Sequence, residues 1–305
     1  MPEGNSLINL GDISKPATVL IEKISDAIGG YFKPYQIRRV AKAEAEAEII
    51  KAQAQIEVTD LQRRALVRFV AEEARKQDNI EKITEKALPQ LEETSKPENM
   101  EDDWVANFFD KCRIVSDEEM QSLWAKVLAG EANSPGTYSK RTVNFLSSLD
   151  KTDAKLFTSL CGFGWFLGDI VPLIFDVQQP IYNDQGINFN TLTHLDDIGL
   201  VSFNSLSGFK RMKFPKRITI FYYGIFLKIE FEKEADNDLE LGKVLLTKTG
   251  QQLAHICGSK PVDGFQNYVI ERWVKKSLIL SSPYPKIEWN TEQVAPPDAP
   301  NTAPR

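Results

Sequence analysis

The sequence predicts an α+β protein that is mostly α, with helices in its amino-terminal half and β content in its carboxy-terminal half. Three observations carry that prediction. From Tyr35 to about Leu91 the chain keeps a helical pattern that no glycine breaks, and no proline before Pro89. Next comes the densest apolar stretch of that half, with Trp104, Val105, Phe108, Phe109, Met120, Leu123, Trp124, Val127 and Leu128. After Gly168 the character changes. Residues 170–175 and 218–231 are β-branched and aromatic, and Phe226, Lys228 and Glu230 alternate with Leu227, Ile229 and Phe231.

Composition narrows the function classes. A chain of 305 residues with 42% hydrophobic and 26% charged residues can bury a core, which excludes wholesale disorder. The formal net charge of −6 argues against a general polyanion binder, although local basic patches remain open. Three separated cysteines (Cys112, Cys161 and Cys257) fit a reducing compartment and no disulfide framework. No apolar run approaches a membrane span, and the first sixteen residues lack a basic and apolar leader pattern. The expected location is the cytoplasm.

Residues 1–15 are a flexible start. Pro16 suits a first helical turn after Ser14, and Leu20, Ile24, Ala27, Ile28 and Tyr31 recur at helical spacing before Gly29-Gly30. This 16–32 helix is nearly neutral, so packing on a partner or on the long helix is favoured over peripheral membrane contact. In residues 43–48 Ala and Glu alternate with period two, but both are strong helix formers and poor strand formers, so helix wins. Ile50, Ala54, Val58, Leu61, Ala65 and Phe69 then make an apolar seam on a helix balanced between twelve basic and twelve acidic side chains. Fifty helical residues would span about 75 Å. Such a helix must fold back near Gln77-Asp78-Asn79 or pack against another chain, and a homo-oligomer is expected. The amphipathic and long helices together occupy 16–97.

Residues 98–149 form a helical hub built on Trp104, Phe108, Leu123, Trp124, Val127 and Leu128. Ser116 and Glu119 match a capping box for a helix that ends at Gly130. The 150–280 domain opens with a helix capped by Asp150 or Thr152. A short helix then reaches Gly199-Leu200-Val201, a long hairpin follows, and the chain returns through Leu246-Thr247 into a helix with Gly250 and Leu253. That order resembles winged-helix domains. A last amphipathic helix covers 265–280, and 281–305 is a Pro-rich flexible tail.

Catalytic motifs are scarce. Gly162, Gly164 and Gly168 have the wrong spacing and context for a phosphate loop, and packing of a helix end is the better reading. His194 has no ligand at metal spacing, and His255 with Cys257 makes a poor pair. The carboxylates at 101–103 and 118–119 suit helix amino termini. No catalytic residue, cofactor or metal is assigned. The strongest charged feature is a basic loop at 205–217, where Lys210, Arg211, Lys213, Lys216 and Arg217 occur without an acid; an acidic run from Glu230 to Glu240 follows. The loop could bind nucleic acid or a protein, but the neighbouring helix offers Asp196 and Asp197 and no Arg or Lys to read guanine.

Asp103-Trp104-Val105, Phe108-Phe109-Asp110, 115–119, 123–131 and 139–143 form a distinctive series, continued by Leu146, Leu149, Asp150, Asp153 and Ala154. It resembles a bacterial domain family of unknown function and, more distantly, abortive-infection alpha-type proteins. The alternating Ala-Glu helix is also similar to those of prohibitin- and flotillin-type scaffolds. The main resemblance implies a bacterial origin and a place in defence against phage, and it carries no catalytic residue. The expectation is a non-enzymatic, oligomerising scaffold. A winged-helix nucleic-acid binder is the alternative, and a nuclease or nucleotide-dependent effector is the third reading.

Overall fold

The computed structural model describes residues 14–28, 59–276 and 278–281 of the chain. It is α+β and mostly helical, with two compact units interleaved along the sequence. The first takes the chain to Ser159 together with Thr193–Val201 and Leu246–Ser259; the second takes Leu160–Leu192, Ser202–Leu245 and the chain from Lys260.

The first unit opens with α1 (Lys15–Ile28). Pro16 lies in its first turn, and Ala17, Leu20 and Ile24 make one buried stripe. That stripe packs on α3 (Asp102–Cys112), and a Lys23–Asp102 ion pair of 2.5 Å ties the two helices. Helix α2 (Asp60–Ala87) starts at a capping box: Gln62 N–H donates to Thr59 Oγ1 (3.3 Å), and Thr59 N–H donates to Gln62 Oε1 (3.0 Å). There is no fold-back at Gln77-Asp78-Asn79. Asn79 is buried within the helix and donates to Arg113 O (2.9 Å), while Ile80, Ile83 and Ala87 form the packed stripe. The helix gives way to a 3₁₀ turn where Pro89 removes a donor.

Helix α4 (Glu118–Asn133) corrects two expectations. Its cap is Asp117, which accepts from Glu119 N and Met120 N (3.0 Å each); Ser116 accepts instead from Asn79 Nδ2. The helix also runs through Gly130. A Cβ there would lie 2.7 Å from the Tyr138 ring, so this glycine serves close packing and not termination. Helix α5 (Lys140–Leu146) is capped by Ser139, and α6 (Lys151–Cys161) leads the chain into the second unit. Between the short α7 (Pro180–Asn183) and Val201, α8 (Phe189–Asp197) brings the chain back to the first unit. The last helix of this unit, α9 (Lys248–Ala254), is capped by Thr247.

In the second unit an antiparallel sheet of order β2-β1-β5-β6-β9 is made from β1 (Gly164–Phe166), β2 (Ile170–Pro172), β5 (Arg217–Tyr222), β6 (Ile225–Glu230) and β9 (Ile279–Ser281). Tyr223 and Gly224, both at positive φ, turn β5 into β6; this backbone matches the twist of a hairpin. The alternation of 226–231 is the observed one, with Leu227, Ile229 and Phe231 buried. Two-stranded ladders join β3 (Val201–Phe203) with β8 (Val244–Leu246) and β4 (Phe209–Phe214) with β7 (Asn237–Gly242).

Helix α10 (Phe265–Lys275) packs an aromatic core on the sheet. Trp165 stacks on Tyr222 (4.9 Å between centroids) and meets Trp273 edge-on (5.4 Å). The helix stops at Lys275 instead of running to Leu280, because the following residues pair with the open edge of β6 as β9. The strand expected at 170–175 is cut to β2. Pro172 lacks a ladder donor, and beyond it Ile174 bridges to Gly242.

Candidate functional site

Three sets of residues singled out by the sequence lie on distinct parts of the fold. Ile50, Ala54 and Val58 of the apolar seam lie outside the described residues. Leu61, Ala65 and Phe69 lie on the amino-terminal half of α2, where Leu61 is 68% and Phe69 59% exposed, with Leu66 and Val67 exposed beside them. This stretch is held by its own chemistry. The capping box fixes the start, and Arg64–Asp60 (3.1 Å), Arg68–Glu72 (3.6 Å) and Lys76–Glu73 (2.6 Å) run along it. The buried residues of the helix, Asn79 to Ala87, lie in its carboxy-terminal half.

The basic stretch is not a loop. Lys210, Arg211 and Lys213 lie in β4, and Arg217 opens β5. Across β4–β7, Lys210 pairs with Asp238 (3.3 Å); Lys216 pairs with Glu234 (2.6 Å), and Arg217 with Glu230 (3.1 Å). The Glu230 carboxylate raises the Arg217 pKa, and Arg217 in turn holds the Glu230 carboxyl below its usual range. The Arg211 guanidinium donates to Leu167 O and lies 5.9 Å from the Phe214 ring centroid. Lys213, at φ 64°, is exposed. The acidic run therefore lies against the basic stretch: Glu230 ends β6 opposite Arg217, Glu234 lies in the turn that follows, and Asp238 and Glu240 lie in β7, the partner of β4.

The hub residues share one core in the first unit. Trp104, Phe108, Trp124, Val127 and Leu128 are buried, with Phe108 5.1 Å from both Trp104 and Trp124. Trp104 Nε1 donates to Tyr138 O (2.6 Å). The buried Glu131 accepts from Gly136 N (2.6 Å) and Tyr138 N (2.7 Å), so it organises the turn that receives the indole. Burial raises the Glu131 pKa against those two donors, and burial pushes the Tyr138 phenol up to about 12. Leu123 differs from the rest of the hub. It is half-buried and lines a cavity.

Two of the candidate ligands and nucleophiles, His194 and Cys112, are engaged within the fold. His194 Nε2 lies 2.8 Å from Asp153 Oδ1. Cys112 is buried, and desolvation pushes its thiol pKa well above the usual range, as in an inert structural cysteine. Among the described residues no group of three or more His, Cys, Asp or Glu is placed to hold a metal ion, and no helix is long and apolar enough to cross a membrane. The cavity beside Leu123 was not legible in the sequence. Its residues come from 119–126, 149–158 and 253–257, and no motif links those segments.

Asp117 gives a pH prediction. The Met120 N–H, then Lys151, hold its carboxyl below the usual carboxylate range. The unfolded chain therefore takes up the proton first. The stabilisation is complete above the ordinary value of about 3.9 and is lost as pH falls through the lower folded value. Thermal melts of Asp117→Asn, which keeps a capping oxygen but does not titrate, are expected to lose less melting temperature than wild type on acidification. Parallel curves for the two proteins would contradict this assignment.

No match is found among curated proteins or among solved structures. The sequence model of the family described as "Protein of unknown function (DUF2806)" matches residues 63–270, from the first turn of α2 into α10. With about two thirds of its length inside that match, the chain belongs to the DUF2806 family.

Proposed function

We propose that this protein is a non-enzymatic scaffold that assembles with copies of itself through the amino-terminal half of α2. The observation that carries the reading is the exposure of Leu61 and Phe69 on a helix stabilised by its own cap and ion pairs. A second copy is the fitting occupant. The sequence continues the same apolar seam upstream through Val58, Ala54 and Ile50, and the balanced charges of 35–96 suit pairing of like with like.

The series at Asp103-Trp104-Val105 and 123–131, with its likeness to abortive-infection alpha-type proteins, gives the assembly a role in bacterial defence against phage. We also read α6, α8, β3, β8 and α9 as a winged-helix-like frame. Its support is the closure at Leu200, whose carbonyl accepts from Thr247 N (3.1 Å), and at Gly199, whose carbonyl accepts from Thr247 Oγ1 (2.8 Å). The ion pairs of Lys210, Lys216 and Arg217 in the second unit favour a protein partner over nucleic acid for the basic stretch itself. Retention of labelled DNA at low salt, lost steeply as salt rises, would reverse that preference.

Sedimentation in solution tests the assembly. The wild-type chain is expected as a multiple of its own mass at micromolar concentration, and a strict monomer would overturn the reading. Leu61→Asp with Phe69→Asp is expected to weaken self-association at least about a hundredfold, roughly 2.8 kcal/mol, because each introduced carboxylate would be buried without a partner. Phage plating on cells with and without the gene tests the defence role.

A further inference from the structure

The first unit holds a cavity of about 150 Å³ bordered by α4, α6 and α9. Its lining is mostly apolar and includes Leu123, Leu149, Phe157, Leu253 and Ile256. An apolar space of about this volume accepts a molecule the size of benzene. The charged lining residues, in contrast, are mostly cationic. Lys126, Lys151 and Lys155 stand against Glu119 alone, a net of +2 among the residues that line the cavity, or +1 when Asp117, a partner of Lys151, is added.

These cations are arranged to share acceptors. Lys151 Nζ lies between Asp117 (3.0 Å) and Glu119 (3.1 Å), and Lys155 Nζ is 3.8 Å from the same Glu119. Lys126 Nζ donates to a neutral acceptor, Ile256 O, at 2.8 Å. A hydrocarbon alone would fill the walls and leave the excess of ammonium over carboxylate charge uncompensated. A polar anion alone would leave the walls wet.

We propose that this cavity binds a small carboxylate with a short apolar tail, about six to eight heavy atoms in all, with the tail against Phe157 and Leu253 and the carboxylate among Lys126, Lys151 and Lys155. The inference is independent of self-assembly, since every lining residue belongs to the first unit.

Cys257 supplies the readout. It lines the cavity and is half-buried, while Cys112 and Cys161 are buried, so iodoacetamide acts on Cys257 first. The rate of its alkylation, followed by mass spectrometry on the full-length chain, is measured with hexanoate, hexan-1-ol or hexylammonium. Hexanoate at ten times its Kd is expected to slow the reaction about tenfold, because the open fraction falls in that proportion. Hexan-1-ol and hexylammonium at the same concentration are expected to leave the rate nearly unchanged.

The pair Lys151→Ala with Lys155→Ala is expected to remove the hexanoate effect while the unliganded rate persists. Alkylation that ignores hexanoate up to its solubility overturns the proposal. Equal protection by hexan-1-ol also overturns it, as does full protection in the double variant, since either result would mean the cations play no part.

Discussion

Replacing Trp124 by alanine is expected to cost about 3–5 kcal/mol of folding stability. The residue sits fully buried on α4, with its ring 5.1 Å from Phe108 in an edge-on contact, and Phe108 in turn stacks on Trp104. Truncation would open a space the size of an indole at the centre of the first unit. Close packing leaves the surrounding helices little room to collapse into it. Trp124→Phe separates packing from polarity. Trp124 Nε1 is buried and meets no acceptor among the described residues, so phenylalanine loses part of the volume but also removes an unsatisfied donor. Its cost is expected to be less than half that of alanine. Chemical denaturation of the two variants checks the order. An alanine variant as stable as wild type would mean that 123–131 is a surface and not a core.

How much of this was legible in the sequence depends on the range of the interaction. Periodicity placed helix within 35–91, where Asp60–Ala87 is helical among the described residues, within the 98–149 hub, where Asp102–Cys112 is helical, and it gave the 226–231 alternation, because each of these buries a stripe set by its own spacing. The return through Leu246-Thr247 into a helix was legible for the same reason: Thr247 satisfies a donor three residues away. The failures involve distant partners. Gly130 looked like a stop because its neighbour across the fold, Tyr138, is invisible to local pattern. Ser116 looked like a cap because Asn79, its actual partner, lies 37 residues away. The basic stretch looked unopposed because Asp238 and Glu234 reach Lys210 and Lys216 only through the ladder of β4 with β7 and the turn beyond it. The cavity combines residues 130 positions apart, such as Lys126 and Ile256, and no composition or spacing rule could bring them together.

Gly250→Ala is expected to destabilise the first unit by about 3 kcal/mol, at the upper end of what added core volume costs. Helical propensity alone argues the opposite way, since alanine is the better helix former by about 1 kcal/mol. The difference is steric. A Cβ at Gly250 would fall on the carbonyl oxygen of Leu200, far inside van der Waals contact, with Leu246 Cβ only 3.3 Å away. That oxygen is not free to retreat. It accepts from Thr247 N at 3.1 Å and Thr247 Oγ1 at 3.2 Å, and Thr247 Oγ1 in turn accepts from Gly250 N at 3.1 Å. Making room for one methyl group therefore opens the bonds that cap α9 and close the chain beside Gly199-Leu200. Lys248→Ala on the exposed face of the same helix serves as control and is expected to stay within about 0.5 kcal/mol of wild type. If Gly250→Ala proved as stable as the Lys248 variant, the close approach of α9 to Leu200 would be wrong. With it would fall the winged-helix-like reading of that return.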